Sequence, residues 1–401
     1  MKINLQRYDF FLTYKFFFAI LLVFRIFAVV YNEEKKMKKV FQSICAVAVI
    51  SLMGSCGGNK NQYEINGTVD SDLNGQMVYL CNYEDLGNPT DSTLVADGKF
   101  SFKDTVVEPW MAAIRSSDAM VATLFVEPGV ITVKPDSIGG TPLNDKLHVF
   151  NGSLDLSDIE EQMEEYIPLY YSAPNAEARA EAERILDSLD ALRIDRTMDA
   201  CWKLYHENGD NLLGLYAMQT IAHEGSFTFS QFDSIVKAAS PVVAKDKKIQ
   251  QKLEQLRNIE ATSAGKHYTD IQGVDGKLSD LIDGKLALVD FYASWCGPCR
   301  NEIKDNLVPL WKKYQKKGLV IVGLNVWERG DAEARKAAHE KVMKDLGITY
   351  PQLVDSTRTA TDTYGVQGIP QIMLIAPDGT ILARDLRGAA IEEAIKEALK
   401  K

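Results

Sequence analysis

The feature of this sequence that most constrains its fold is an apolar run that leads directly into two closely spaced cysteines, L-A-L-V-D-F-Y-A-S-W-C-G-P-C-R. The run L-A-L-V-D-F-Y is typical of a strand buried on both faces, because apolar residues occupy successive positions. Pro298 suits the first turn of a helix, where its missing N–H costs no hydrogen bond. The stretch therefore predicts a strand, a short turn, and a helix that begins near Cys296 and carries Cys299 in its first turn.

Strand and helix patterns alternate over residues 266–401. G-L-V-I-V-G-L-N-V predicts a second buried strand, and an Ala/Glu/Lys-rich segment predicts a helix over 331–346. Q-I-M-L-I-A and T-I-L-A-R-D flank a P-D-G turn, and a terminal helix follows. This order predicts an α/β domain with a central sheet over 266–401, in which the helix from Cys296 continues to Tyr314.

The cysteine pair has the spacing of a redox couple. Such a couple needs one accessible thiolate and a second thiol close enough to resolve a mixed disulfide. At a helix start, unpaired backbone N–H groups would stabilise the thiolate of Cys296, and Cys299 would lie on the same face. A lone C-x-x-C supplies only two of the four ligands that zinc normally takes, and the histidines are scattered. We therefore expect a redox function, with no metal and no cofactor.

The segments V-D-F-Y-A-S-W-C-G-P-C-R-N-E and Y-G-V-Q-G-I-P-Q-I-M-L-I-A-P-D-G-T occur in this order and resemble the thioredoxin superfamily, specifically its TlpA/ResA-like branch. The resemblance covers roughly the last third of the chain. It implies that Cys296 is the attacking thiolate, that Cys299 is the resolving thiol, and that Pro370 is a cis-proline beside them. It also implies that Trp295 covers the active-site surface and that Asp290 is the buried acid that moves the proton of the resolving thiol.

Structural roles are the alternatives for three of these residues. Asp290 could be a hydrogen-bonded strand residue, although a carboxylate in so apolar a run is costly. Pro370 could be a strand-edge proline and Trp295 a packing residue. Peroxiredoxins need a threonine three residues before the reactive cysteine, and Ala293 stands there, so we reject that class. Many relatives have a proline where this chain has Lys304, which predicts a straighter helix or a bend near Pro309.

Residues 37–56 have the layout of a secretory signal, M-K-K-V-F-Q-S-I-C-A-V-A-V-I-S-L-M-G-S-C. Two lysines precede a short apolar run that ends in small residues directly before a cysteine. L-M-G-S-C resembles a bacterial lipobox, which implies that Cys56 is lipidated and becomes the mature N-terminus. We predict a lipoprotein signal peptide over 37–55 and a flexible tether over 56–62.

The upstream segment, residues 1–36, contains an apolar run with Arg25 in its middle. A central arginine costs about 2.5 to 3.5 kcal/mol on insertion scales, which disfavours a membrane span. We interpret 1–36 as an extension from a misplaced start, with Met37 as the initiator; an uncleaved anchor helix is the alternative. Either way, the bulk of the chain is expected outside the cytoplasm, where disulfides are permitted.

Residues 63–150 predict an antiparallel β domain, either a sandwich or a barrel, because short alternating runs are separated by turn residues. The turns are expected at Asn74-Gly75, Asp97-Gly98 and Pro128-Gly129. The arrangement around D-S-T-L-V-A-D-G-K-F-S-F resembles the β domain that precedes thioredoxin-like domains in some Gram-negative lipoproteins. Cys81 in this region is expected to be a buried apolar residue.

Residues 151–262 predict a helical region, with helices punctuated by Pro168, Pro174 and Pro241. Cys201 is expected in its core. The chain is thus expected to be multidomain, with a β domain, a helical region and a C-terminal thioredoxin-like domain.

The formal net charge of −10 argues against nucleic acid as a partner, because no basic surface is available to neutralise phosphates. The expected function is a protein-disulfide reductase that acts on exported proteins from a periplasm-facing lipoprotein. Its expected partners are client disulfides, a membrane or periplasmic thiol reductant, and the membrane itself; the outer membrane is favoured because Gly57 follows the lipidated cysteine. The alternatives are a disulfide isomerase or oxidase, and a binding lipoprotein in which the redox domain is secondary.

Overall fold

The computed structural model describes residues 61–117 and 119–400, which form two compact units. One unit holds 61–226 with 233–250, and the other holds Phe227–Phe232 with 251–400. The predicted signal segment and Cys56 lie outside the described residues. Within those residues, none of the helices is both long enough and apolar enough to span a bilayer.

The first unit begins with eight strands in the described range. They are β1 Gln62–Thr68, β2 Met77–Asn82, β3 Asp85–Leu94, β4 Lys99–Thr105, β5 Trp110–Arg115, β6 Met120–Val126, β7 Gly129–Lys134 and β8 Ser137–Gly139. They form two four-stranded sheets with the orders β4-β1-β7-β8 and β3-β2-β5-β6. Ile65 and Ile131 from the first sheet share one core with Leu80, Ile114 and Leu124 from the second, and all five are 0% exposed.

Two details of the predicted β domain are wrong. It is not wholly antiparallel, because β1 and β7 pair in parallel, with Ile65 opposite Ile131. Pro128-Gly129 does not close a hairpin either, since β6 pairs with β5 whereas β7 pairs with β1 and β8. The segment carries the chain from one sheet to the other. Gly98, by contrast, lies in the left-handed region beside Asp97, as a tight turn between β3 and β4 requires.

Helices follow the strands, as the sequence predicts. They are α1 Pro142–Ser153, α2 Ser157–Tyr171, α3 Ala176–Asn208, α4 Leu212–Glu224, α5 Phe229–Ala238, α6 Pro241–Ala244 and α7 Lys247–Ala261. Pro174 precedes α3 and Pro241 opens α6, but Pro168 lies inside α2, in its last turn. Cys81 and Cys201 are buried free thiols, which confirms their predicted packing positions.

The second unit is built on a five-stranded sheet with the order β13-β12-β11-β14-β15. Its strands and those of a short hairpin before it are β9 Gln272–Gly273, β10 Gly276–Lys277, β11 Leu286–Tyr292, β12 Leu319–Asn325, β13 Gln352–Val354, β14 Gln371–Ile375 and β15 Ile381–Ala383. Strands β11, β12 and β13 are parallel, and β14 is antiparallel to β11. Every residue of β11, β12 and β14 is buried, as expected for a sheet covered on both faces.

Six helices accompany this sheet in the described residues: α8 Leu278–Ile282, α9 Gly297–Glu302, α10 Val308–Tyr314, α11 Ala332–Leu346, α12 Thr359–Thr363 and α13 Ala389–Ala398. The predicted continuous helix from Cys296 to Tyr314 is interrupted by a π-type turn at Ile303–Leu307. Pro309 has no N–H to donate back into the helix, and the chain makes a wider turn just before it.

Apart from Phe227–Phe232, the second unit contains the chain from Gln251 onward and so includes residues before 266. Its early residues pack against the later sheet and helices. Arg384 donates hydrogen bonds to the carbonyl and hydroxyl oxygens of Thr262, the first at 3.0 Å. Asn258 donates to the carbonyl oxygen of Asp362 at 3.0 Å. These contacts are absent from the sequence pattern because they join residues more than a hundred positions apart.

Candidate active site

Cys296 and Cys299 form a disulfide at the start of α9. Cys296 caps the helix, and its Sγ accepts a hydrogen bond from the backbone N–H of Cys299 at 3.2 Å. Pro298 occupies the first turn without loss of a hydrogen bond. Cys296 is 4% exposed and Cys299 is 0% exposed, so an incoming sulfur meets Cys296 first. Gly297 is exposed, and a side chain there would meet nothing within 4 Å.

Pro370 follows a cis peptide bond and lies beside this disulfide. The carbonyl oxygen of Ile369 lies 3.7 Å from the Sγ of Cys296. Pro370 is buried and immediately precedes β14, whose neighbour β11 leads into the cysteines. The sheet thus brings together two segments that are far apart in sequence.

Asp290 lies in the middle of β11, between Gly323 of β12 and Ile372 of β14. It is 1% exposed, and among the described residues neither of its carboxylate oxygens has a hydrogen-bond partner. Burial raises the pKa of Asp290 to about 8, because the charged form loses its hydration. The positive charge of Arg387 opposes this rise in pKa, and the negative charge of Glu302 adds to it.

Glu302 and Arg387 were not identified from the sequence, although both act on Asp290 electrostatically. Glu302 lies on α9, and its Oε1 accepts hydrogen bonds from Asn306 Nδ2 at 2.7 Å and from the backbone N–H of Gly388 at 3.0 Å. Arg387 donates a hydrogen bond to the carbonyl oxygen of Pro370. Glu302 had a local signal, since it follows Cys299 by three residues on one helix. Arg387 had none.

Trp295 is 43% exposed and precedes the disulfide on the surface. Its indole N–H donates to the carbonyl oxygen of Trp327 at 2.9 Å. Next to it, Glu328 accepts hydrogen bonds from the hydroxyl of Ser294 at 2.7 Å and from Asn325 at 2.8 Å. The loop after β12 thereby fixes the loop after β11, and both loops lie where parallel strands end. Trp327 and Glu328 were also missed by the sequence reasoning.

The arrangement provides one sulfur that substrate can reach, a second that is enclosed, and a buried carboxyl group on the strand that leads into them. Thiol–disulfide exchange requires a sulfur to attack, a sulfur to leave and a proton to move. The described residues contain no cluster of three or more histidine, cysteine or acidic side chains suited to hold a metal ion.

Comparison with known proteins gives two family matches. Residues 255–384 match the AhpC/TSA family, and residues 63–147 match a domain of unknown function, DUF4369. A crystal structure of the thioredoxin domain of a thiol-disulfide oxidoreductase from Bacteroides vulgatus is 26% identical, covers 34% of this chain and 96% of that chain, and has a TM-score of 0.30.

Curated relatives match the same part of the chain. The thiol:disulfide interchange protein CycY of Rhizobium leguminosarum bv. viciae is 37% identical over 120 residues, which is 29% of this chain and 58% of the relative. The thiol-disulfide oxidoreductase ResA of Bacillus thuringiensis subsp. konkukian is 31% identical over 133 residues, which is 33% of this chain and 72% of the relative. The chain therefore belongs to the ResA family of thiol-disulfide oxidoreductases, and its C-terminal domain is thioredoxin-like.

Proposed function

We propose that this protein reduces disulfide bonds in exported proteins, with Cys296 as the attacking thiolate and Cys299 as the resolving thiol. The observation that carries the proposal is the disulfide at the start of α9, with one sulfur slightly exposed, the other enclosed, and Asp290 buried in the adjoining strand. The disulfide-bonded pair is the end state of such a reduction.

The reaction begins from the dithiol form. The Cys296 thiolate attacks one sulfur of the client disulfide, forms a mixed disulfide, and releases the other client sulfur as a thiolate. Cys299 then loses its proton and attacks the Sγ of Cys296, which releases the second client sulfur. The client gains two electrons, and the cysteine pair loses two in forming its own disulfide. A thiol reductant returns the pair to the dithiol form.

Asp290 serves as the proton store for the buried sulfur. Its pKa of about 8 keeps most of it protonated at pH 7 while the cysteines are joined. When a donor thiolate attacks Cys296, Cys299 leaves as a thiolate and takes the proton from Asp290. When Cys299 later attacks a mixed disulfide, the carboxylate takes the proton back. A pKa near the working pH suits a group that must both give and accept a proton.

A trapping experiment tests the assignment of the two sulfurs. In Cys299→Ser the mixed disulfide on Cys296 cannot be resolved, so covalent adducts with exported proteins should accumulate and disappear on treatment with dithiothreitol. Cys296→Ser is the matched control and should give no adducts. Adducts of equal amount in both variants would show that either sulfur attacks, and the proposed roles would be wrong.

The direction of electron flow needs a separate measurement. A reductase in its dithiol form should cleave the disulfides of insulin, and its disulfide form should oxidise reduced client proteins slowly. The converse pattern would favour an oxidase, and rescue of scrambled disulfides without net reduction would favour an isomerase.

We place the protein in the cell envelope as a periplasm-facing lipoprotein, with its signal peptide over 37–55 and its lipid on Cys56; the outer membrane is the favoured location. The support is the basic, apolar and small-residue layout that ends in Gly54, Ser55 and Cys56. Labelling with a palmitate analogue should mark the wild-type protein and not Cys56→Ala. Label that persists in the variant would refute lipidation at this cysteine.

A further inference from the structure

Two tryptophans with arginines over their rings lie on the loops that follow β11 and β12, and the first of them, Trp295, immediately precedes Cys296. We name this surface the basic rim and define it as Trp295, Trp327, Arg329 and Arg358. The guanidinium carbon of Arg329 lies 4.2 Å from the centre of the Trp295 ring. That of Arg358 lies 5.5 Å from the centre of the Trp327 ring. Both arginines are exposed, so each tryptophan presents a positive charge to solvent.

The rim is held in a fixed conformation by its hydrogen bonds and backbone. The carbonyl oxygen of Trp327 accepts from Trp295, and its indole N–H donates to the hydroxyl of Thr361 at 3.2 Å. Trp327 and Arg358 have φ angles of +55° and +70°, which side chains of this size rarely adopt. Such conformations persist where the surrounding structure determines them, and they concentrate at binding sites and other functional surfaces.

The acidic residues of the same loops accept hydrogen bonds from groups other than the two rim arginines. Glu328 accepts from Ser294 and Asn325. Asp331 accepts from the backbone N–H of Ala334 at 2.9 Å, and Asp355 accepts from that of Ala360 at 2.8 Å.

The two rim arginines have no ion-pair partner within the part of the chain that the structure describes. The donors to these three carboxylates are neutral and cancel no charge, but the charges that lie over the two indole rings are the guanidinium groups of Arg329 and Arg358.

We propose that the basic rim selects client disulfides whose flanking residues are acidic. The inference rests on the proposed reductase function and specifies its substrate class. A peptide segment that brings its disulfide to Cys296 comes close to Trp295, which is exposed and adjoins that cysteine in the chain. Carboxylates in the segment would meet Arg329 and Arg358, and its apolar atoms would meet the indole rings. Complementary charge raises the rate of productive encounter more than it raises final affinity.

The test uses three synthetic peptides with one shared disulfide loop, flanked by glutamate, serine or lysine. The reduced protein is mixed with each peptide at low ionic strength, and the second-order rate constant for loss of protein thiols is measured. The glutamate peptide should react roughly tenfold faster than the lysine peptide, and the ratio should fall towards one at about 1 M salt. Arg329→Gln and Arg358→Gln should each lower the ratio, and the double variant Arg329→Glu/Arg358→Glu should invert it.

Lys316→Glu is the matched control for charge. Lys316 is exposed and precedes β12, whose opposite end leads to Trp327, so it lies about 20 Å from the rim along the strand. This variant should keep the wild-type ratio. Because each ratio compares two peptides on one protein, a partial loss of folded protein does not change it.

An uncharged substrate separates this inference from the proposed function. Hydroxyethyl disulfide reports the chemistry of the cysteines without charge. If it is reduced while the three peptides react equally, the basic rim does not select acidic clients and only this inference is overturned. If neither hydroxyethyl disulfide nor any peptide is reduced, the reductase function and the inference fall together. If Lys316→Glu lowers the ratio of the glutamate-peptide rate to the lysine-peptide rate as much as Arg329→Gln does, the proposed role of the basic rim is also refuted.

Discussion

Asp290 combines almost complete burial with a carboxyl group that has no hydrogen-bond partner among the described residues. The sequence predicted its burial, because it interrupts an apolar run. Its neighbours Glu302 and Arg387 could not be placed in the same way, since the sheet and α13 bring Arg387 to the site from a distant part of the chain. The burial of a single residue is thus easier to predict than the charged neighbours that shift its pKa.

We expect Asp290→Asn to slow resolution of the mixed disulfide and to leave the first attack nearly unchanged. Cys296 is activated by the start of α9, which the substitution does not alter. Cys299 is enclosed and depends on a nearby base, whose loss typically costs 10²- to 10⁴-fold. Stopped-flow measurements that separate the two steps give the answer. Resolution at the wild-type rate would mean that the proton of Cys299 leaves by another route.

The same residue should make stability depend on pH. Its pKa is about 8 in the folded protein against an ordinary value of 3.8, so folding favours the protonated form. As far as Asp290 determines it, the free energy of unfolding is highest below about pH 4. It falls as pH rises towards 8 and is constant above that. Asp290→Asn removes this penalty, so its advantage over the wild type should grow by roughly 5 kcal/mol between pH 4 and pH 8.

Urea unfolding of the disulfide form at several pH values checks this expectation. Asp305→Asn, which alters an exposed carboxylate in the same domain, is the control and should follow the wild-type curve. Parallel curves for the wild type and Asp290→Asn would show that Asp290 is charged in the folded protein at neutral pH.

At the scale of the elements, local chemistry was enough to predict β11, β12 and the start of α9. Apolar runs and Pro298 determine the conformation of the residues next to them. The structure confirms these elements at nearly the expected bounds. The parallel pairing of β1 with β7 was missed because strand partners are chosen by contacts between distant segments. A bend near Pro309 was one of two alternatives for this helix, and the structure has a π-type turn at Ile303–Leu307, directly before that proline's turn.

The start of α9 should lower the pKa of the Cys296 thiol in the dithiol form. The backbone N–H of Cys299 already points at its Sγ in the disulfide form. Thioredoxin, with the same placement, has a pKa of about 7 against about 8.5 for free cysteine. The rate of iodoacetamide alkylation against pH measures the shift.

The buried cysteines serve as internal controls for that measurement. Cys81 and Cys201 are buried, and burial raises the pKa of Cys201 to about 11, so both should react slowly while the protein is folded. A Cys296 profile centred at the value of free cysteine would contradict activation by the helix.

At the scale of the whole molecule, the chain divides at a place that the sequence pattern does not mark. The change from helical to alternating pattern suggested 266, but residues from Gln251 onward pack with the thioredoxin-like domain. Asn258 and Thr262 form hydrogen bonds with Asp362 and Arg384 of that domain. Gly365 lies so close to Ile259 that a side chain at this glycine would clash with it. Helical periodicity cannot reveal which domain a helix packs against.

A fragment that begins at residue 247 should therefore be more stable than one that begins at residue 266. The longer fragment keeps α7 and the hydrogen bonds of Arg384 to Thr262. Loss of these bonds and of the apolar contact at Gly365 should lower the melting temperature of the shorter fragment by several degrees, roughly 2–4 °C per kcal/mol for a domain of about 150 residues. Thermal unfolding followed by circular dichroism measures this difference. Equal melting temperatures would show that α7 does not stabilise this domain.

The contacts of Arg387 and Gly388 also have a consequence for biosynthesis. Gly388 binds Glu302 of α9, and Arg387 binds the carbonyl oxygen of Pro370, yet both are synthesised long after the cysteines. A nascent chain that has emerged only as far as β12 carries Asp290 and both cysteines without Arg387 and Gly388. Until the segment that leads into α13 is synthesised, Asp290 therefore lacks the opposing positive charge of Arg387, and the groups that set its pKa are complete only late in the life of each new molecule.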